Sequence, residues 1–574
     1  MAAEMRGEVG LVGMAATAAA SSVEMRHETV RPATIGAPPR ISPGALLHAV
    51  LLAVAVVFFA LHFVHLRADF PNHSPWMDWA KYTDEGWYGD AAIRHFDRGS
   101  WYVKGDFNPA AALPVWPLVE GVVFRYAGVG LAPARALTVG IFGLILLCSY
   151  VLLRRWVGAL AGAAGVCLLA VSPFCYAFMR MAILEPMLIL LTLLAVLAAG
   201  SVRLADGGQR LGPRWWLPVS ALGLLLPVMV LTKTTALFLM PAVFWMVWAR
   251  LGYRPKLYVR AAGLAAGIGL GVWLLYYGVV VRPRYLEDYR YLFSANAYTG
   301  ITAATAASVV RDTVFDGMWV GRILFPLVMV LVVLVVWRWR RLRGEPVIVA
   351  LMLWAGGYAA FLAYHANLQP RYYMVIAVPL TLLAPAVLDR LWRGDLGFGA
   401  ETRRVLVGLA GVVLGAVVVL DARQTLHYVR TPEYTFLEAA RGIDAIVSKD
   451  REHNPLVLSI SGSDLSLMTG LPSICDDFGT MELPDRVRAY KPGWYASWNQ
   501  VDDDKMDAFT PRFHLERVAS FPAMDDPERN LLILYRVEPG PGPSRTRARR
   551  RKPALRKSLE TAMGQQPSAA QLEH

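Results

Sequence analysis

Four short stretches of this chain place ionisable side chains inside or beside strongly apolar sequence. In Tyr82-Thr83-Asp84-Glu85-Gly86-Trp87-Tyr88-Gly89-Asp90, two adjacent carboxylates stand in an aromatic, glycine-containing stretch that reads as a loop beside the membrane. A carboxylate held there has the chemistry of a base toward an incoming hydroxyl; the plain alternative is a solvated loop. In Arg180-Met181-Ala182-Ile183-Leu184-Glu185-Pro186, Glu185 enters an apolar run. An ionisable group in a membrane segment is costly and points to function, although the first turn of a helix also favours negative charge. Lys233, in Thr232-Lys233-Thr234-Thr235, lies between two apolar runs, where it meets a phosphate or extends to a membrane interface. Arg371, in Tyr364-His365-Ala366-Asn367-Leu368-Gln369-Pro370-Arg371-Tyr372-Tyr373, offers either a planar fork for phosphate oxygens or an interfacial anchor between tyrosines.

The elements that must position these groups are membrane helices. Of 574 residues 56% are hydrophobic and only 18% charged, and the mean hydropathy is +0.40. The fold class predicted is mainly α and polytopic, with eleven spans at 44–66, 133–153, 157–176, 183–200, 216–232, 234–249, 261–281, 322–337, 346–366, 372–391 and 404–421. Every second connection is basic: Arg154-Arg155; Arg203, Arg210 and Arg214; Arg250, Arg254, Lys256 and Arg260; Arg338, Arg340, Arg341 and Arg343; and Arg390, Arg393, Arg403 and Arg404. Positive charge stays in the cytoplasm, so these loops and the N-terminus are placed inside. That distribution accounts for the net charge of +13 without nucleic acid as a partner. Residues 67–132, 282–321 and everything after 421 then face outward, with 114–131 an amphipathic helix lying along the interface. Asp84, Glu185, Lys233 and Arg371 fall on that one outer face. Two carboxylates and two cations at the mouth of a helical bundle suit a reaction in which a lipid-linked phosphate leaves and a hydroxyl attacks.

The chain divides into a disordered cytoplasmic segment over 1–42, a transmembrane module over 43–421, an external α/β domain over 431–539 and a disordered basic tail over 540–574. Leu572-Glu573-His574 reads as a tag remnant. Residues 455–461 and 531–537 are predicted strands, with 512–521 pairing the latter. Trp494 and Trp498 could stack on a sugar or an acceptor chain, or, at helical spacing, seal the domain onto the bundle. Arg282 is a further candidate for phosphate. The four cysteines show neither zinc spacing nor a disulfide pattern, and His62 and His65 are read as interfacial residues. The absence of an internal repeat counts against a transporter or flippase built from duplicated halves, the main rival reading. A noncatalytic polysaccharide-export subunit is the other.

In this order and topology the motifs resemble those of the glycosyltransferase C superfamily, in its protein O-mannosyltransferase and aminoarabinose-transferase branch. The resemblance covers roughly 44–391. It rests on Asp84-Glu85 followed by Asp106-Phe107-Asn108-Pro109, on Tyr126-Ala127-Gly128 with Arg135, on Arg180 through Glu185 (the family more often has Asp at the last position), and on Lys233 and Arg371-Tyr372. The aminoarabinose branch carries Lys-Pro-Pro where this chain has Ala111-Ala112-Leu113-Pro114, with Lys104 upstream, so that sugar specificity is not carried over. The resemblance implies a polyprenyl-phosphate-linked monosaccharide donor, inversion at the anomeric carbon, and a lipid, glycan or protein acceptor at the outside of a bacterial inner membrane. Asp84 would be the base, with Glu85 beside it; Glu185 would shape the cavity or hold a cation; Lys233 and Arg371 would bind the donor phosphate. Some relatives use a divalent metal and others none, and no ligand cluster in this sequence decides between them.

Overall fold

The computed structural model describes residues 42–205, 208–295, 300–316, 319–366, 368–509, 512–527 and 529–540. The segments predicted to be disordered, 1–42 and 540–574, lie outside the described residues except for residues 42 and 540, as does Asn367. The first helices are α1 (Pro43–Leu61), α2 (Ala80–Arg98), α3 (Val115–Ala127), α4 (Leu131–Trp156), α5 (Ala159–Val171), α6 (Pro173–Phe178), α7 (Leu184–Ala199) and α8 (Trp216–Thr232). A 3-10 stretch over Thr234–Leu239 leads into α9 (Met240–Arg250), and α10 (Pro255–Tyr276) runs through a π-helical stretch, Tyr277–Tyr285, into α11 (Leu286–Ala295). There follow α12 (Ala303–Asp316), α13 (Leu324–Trp337), α14 (Trp339–Leu342), α15 (Pro346–His365), α16 (Pro370–Arg393), α17 (Ala400–Arg430) and α18 (Thr435–Val447).

Six of these helical runs are long and apolar enough to cross a membrane, beginning at Pro43, Leu131, Pro255, Pro346, Pro370 and Ala400. The other five predicted spans appear as shorter apolar segments: Ala159–Val171, Leu184–Ala199, Trp216–Thr232, Thr234–Arg250 and Leu324–Trp337. The predicted span 157–176 is divided at Pro173, which opens a new helix behind Ser172; the serine hydroxyl accepts from Cys175 N–H at 3.3 Å. Basic residues close α4, α9 and α16, whereas Glu185 and Arg371 open α7 and α16 and Lys233 ends α8.

The Asp84-Glu85 stretch, read as a loop, is the interior of α2. Two glycines and several acids give it weak intrinsic helix propensity, so tertiary packing holds it. A Cβ on Gly86 would come within 2.2 Å of the backbone at Ser463 and Asp464, and one on Gly89 within 2.1 Å of a Glu120 oxygen. Only glycine lets α2 approach both neighbours this closely.

Beyond α18 lies a five-stranded sheet in the order β2-β1-β3-β5-β4. Its strands are β1 (Val457–Leu458), β2 (Ser473–Ile474), β3 (Trp494–Trp498), β4 (Phe513–Asp526) and β5 (Arg529–Pro539), with α19 (Gly462–Thr469), α20 (Leu483–Tyr490) and α21 (Asp503–Phe509) between them. β1 is parallel to β2 and β3, while β5 is antiparallel to β3 and β4. The expected pairing of 512–521 with 531–537 is present, and the strand expected at 455–461 is cut to two residues. Trp494 and Trp498 lie on β3 and not on a helix. An even separation puts residues on one face of a strand as well, and that face is the core. Trp494 is fully buried and Trp498 is 7% exposed. Trp498 packs edge-on against Tyr82 of α2 at 5.1 Å, and its indole N–H donates to Ser461 Oγ at 2.9 Å. Neither ring offers a face to an acceptor.

All four cysteines are buried, so a new exposed cysteine reports topology against a quiet background. Ala489, exposed on α20, should react as Ala489→Cys with an impermeant maleimide in cells whose inner membrane is intact. Reaction only after permeabilisation would place the sheet in the cytoplasm, against the charge distribution.

Candidate active site

Arg371, in the first turn of α16, joins that helix to α2. Its backbone N–H donates to Asp78 Oδ2 at 2.7 Å, its guanidinium is ion-paired with the same carboxylate, and its Nε lies 3.2 Å from Asp84 Oδ2. Asp78 also accepts from Ala80 N–H at 2.8 Å, so it caps the start of α2 while anchoring the arginine. Asp84 is 1% exposed; Thr83 Oγ1 donates to its Oδ1 at 2.9 Å. Burial pushes the Asp84 carboxyl above the ordinary aspartate value of 3.8, and the positive charge of Arg371 opposes that rise.

Lys233 and Arg371 share one aromatic ring. The lysine Nζ lies 4.3 Å and the arginine Cζ 4.7 Å from the centroid of Tyr372, distances at which a cation is attracted to the ring face. Glu185, fully buried, is ion-paired with Lys233, and its second oxygen accepts no hydrogen bond. Tyr88, one turn beyond Asp84 on α2, is only half-buried; desolvation first, and then the Asp84 charge, raise its hydroxyl well above the ordinary tyrosine value. Asp84, Glu185, Lys233 and Arg371, separated by up to 287 positions in the chain, thus meet around Tyr88 and Tyr372.

Glu85 points elsewhere. It accepts from Arg135 Nε at 2.8 Å and Nη2 at 2.5 Å, and from Ala182 N–H at 2.8 Å. Arg135 also donates to the carbonyls of Leu66 (2.9 Å) and Ala68. The pair therefore ties α2 and α4 to the connection after α1 and to the turn before α7, and both Glu85 carboxylate oxygens are engaged in it. Arg282 is exposed on the π-helical stretch, outside this buried network. His62, just past the end of α1, is buried against Phe142 and Tyr176. Asp78 escaped the sequence reading; the available signal was an acid flanked by Trp76 and Trp79, the same kind of signal that marked Asp84. Among the described residues no group of three or more His, Cys, Asp or Glu side chains could hold a metal ion.

The helical bundle, with Glu185, Lys233 and Arg371 at helix ends and a mixed sheet following α18, shares its fold with solved structures. In particular the chain is similar to the crystal structure of ArnT from Cupriavidus metallidurans in the apo state, at 17% identity and a TM-score of 0.54, covering 86% of this chain and 98% of that one. The structure of the same protein bound to undecaprenyl phosphate superposes with a TM-score of 0.53 at 17% identity, covering 85% and 97%. At that identity the likeness is one of fold. No family model matches the sequence, and no curated protein matches it.

Two substitutions separate the structural pair from the site. Glu85→Gln leaves Arg135 as a buried charge without its counter-ion, a loss of about 3–5 kcal/mol, and should lower the thermal unfolding midpoint in detergent strongly. Asp84→Asn should lower it far less, because Arg371 keeps Asp78. Equal midpoints for the two variants would remove the distinction.

Proposed function

We propose that this chain is an inverting membrane glycosyltransferase that moves a monosaccharide from a polyprenyl-phosphate donor to an acceptor hydroxyl or amine outside a bacterial inner membrane. The observation that carries the reading is the contact of Asp84 with Arg371, with Lys233 on the same Tyr372 ring. A base and two phosphate-binding cations are what the transfer requires. As the acceptor oxygen bonds to the anomeric carbon, the bond from that carbon to the phosphate oxygen breaks. The acceptor proton passes to Asp84, and the electron pair leaves with the phosphate, stabilised by Lys233 and Arg371. Attack opposite the leaving group inverts the carbon. Lys233 has three N–H donors and Arg371 five, so pairing with Glu185, Asp78 and Asp84 leaves donors for phosphate oxygens. Glu185 holds Lys233, and Glu85 positions α2. The undecaprenyl phosphate bound to ArnT supports a donor of this type.

On this reading the five shorter apolar helices cross together with the six longer ones, giving eleven spans, and the 431–539 unit helps to select the acceptor. With Trp494 and Trp498 buried, that role falls to the half-buried cluster of Trp87, Phe107 and Phe478, whose rings lie 5.2–5.4 Å apart beside α2.

Incubation with a panel of polyprenyl-phosphate sugars, followed by mass spectrometry of lipid and acceptor products, tests the activity directly. Asp84→Asn keeps the size of the side chain and removes the base, so the rate should fall at least about a hundredfold; near-normal turnover would take Asp84 out of the mechanism. The base must be ionised, and its folded pKa is raised. The rate should therefore fall with acid through a midpoint above 3.8, the ordinary aspartate value, and a limb at or below that value would contradict the buried base. Arg371→Lys retains charge but loses the fork that reaches Asp78 and Asp84 together, and should reduce both donor affinity and rate.

A further inference from the structure

Arg180 belongs to a motif singled out in the sequence, yet it takes no part in the site around Asp84. It is 8% exposed and forms one wall of a cavity of about 220 Å³ at the outer end of α17, whose other walls come from the 68–73 connection and α6. Its Nη2 donates to the carbonyls of Val64 (2.8 Å) and His65 (2.6 Å), its guanidinium lies 4.4 Å from the Tyr176 ring centroid, and its Nε has no hydrogen-bond partner. Among the described residues no carboxylate is ion-paired with it. The acids in the lining have other partners. Asp69 accepts from Thr435 Oγ1 at 2.8 Å and from Phe436 N–H at 3.2 Å, and Glu433 accepts from Asn72.

A buried cation without an ion-paired acid is costly, and Arg180 lines an open volume while its Nε goes without an acceptor. The cavity far exceeds the ~30 Å³ that a water takes in the liquid. Its position suggests the source of the anion. The apolar run of α17 ends at Leu420, and the next turns bring Gln424, His427 and Tyr428 to the cavity, so it lies where a span passes from hydrocarbon to lipid headgroups. We propose that this cavity binds a phosphate group, with Arg180 as its principal ligand. The site is separate from the donor-phosphate cations: Lys233 and Arg371 lie around Tyr372, while Arg180 lies beyond the Glu85–Arg135 pair. The inference therefore does not depend on the catalytic reading.

The test uses the full chain in a neutral detergent and phosphate-free buffer, with binding followed by native mass spectrometry and by the thermal unfolding midpoint. The probes are inorganic phosphate, dioctanoyl-phosphatidylglycerol and, as a phosphate-free control, dioctanoylglycerol. A phosphate-bearing probe should bind and stabilise the protein while dioctanoylglycerol does not. Binding of inorganic phosphate alone or of both phosphate probes assigns the site to a free oxyanion, and binding of the phospholipid alone assigns it to a headgroup. Arg180→Gln should abolish the bound phosphate. Gln424→Glu puts a like charge at the rim, where the side chain is exposed, and should weaken binding at least about tenfold; it carries the test by itself if the arginine variant fails to fold. Phosphate held at Lys233 and Arg371 would be insensitive to both substitutions. Binding unchanged in the foldable variants, absent from the unsubstituted protein, or matched by dioctanoylglycerol would overturn the proposal.

Discussion

Arg371 lies between Asp78 and Asp84, and through that guanidinium the polar helix α2 is locked to the first turn of α16, a helix long and apolar enough to cross a membrane. With Asp84 removed Arg371 still keeps Asp78, but a guanidinium deprived of both acids would be an unbalanced buried charge, among the most destabilising defects a protein can carry. The geometry of the site follows from that need for balance. Asp84 reaches its cation only because α2 begins at the residues Asp78 caps, and Lys233 meets the same tyrosine ring only because α8 ends where α16 begins.

A second pair secures the other side of α2. Glu85 and Arg135 sit back to back with the Asp84 contact, joining α4, the chain after α1 and the turn at Ala182. Adjacent carboxylates on a helix point in directions about 100° apart, so neighbours in sequence serve different partners. One is left with a single, imperfectly aligned cationic contact, from Arg371; the other accepts from Arg135 twice and from the backbone at Ala182. The motif Asp84-Glu85 thus contains one carboxylate that faces Arg371 and one that holds the helix to α4.

The sheet is not an appendage to this arrangement. Tyr82 of α2 lies in the same apolar core as Trp494 and Trp498, its hydroxyl donates to Asp526 at 2.6 Å, and Ser463 donates to Asp90 at 2.9 Å. Gly86 allows α19 to press against the helix that bears Asp84. A chain ended near residue 430 would lose half the walls that make α2 a helix, so loss of turnover in such a chain would not place chemistry in the sheet.

The sequence by itself determined the membrane class, the helix-rich middle and the paired strands at 512–521 and 531–537, because apolar length and alternation are local properties of a chain. It also picked out Asp84, Glu185, Lys233 and Arg371, since an ionisable residue in apolar sequence stands out without any structure. Tertiary structure alone decided the rest. Acids and glycines made α2 read as a loop, whereas close packing against α3 and α19 makes it a helix. The spacing of Trp494 and Trp498 fits a helix face and a strand face equally, and only pairing with β5 chose the strand and buried both rings. Whether Glu85 acts or supports, and whether Arg371 meets an acid or water, depends on residues such as Arg135 and Asp78. Those partners are distant or unremarkable in the sequence and are brought to the site only by the fold, because the energy of a buried charge depends on what surrounds it in space.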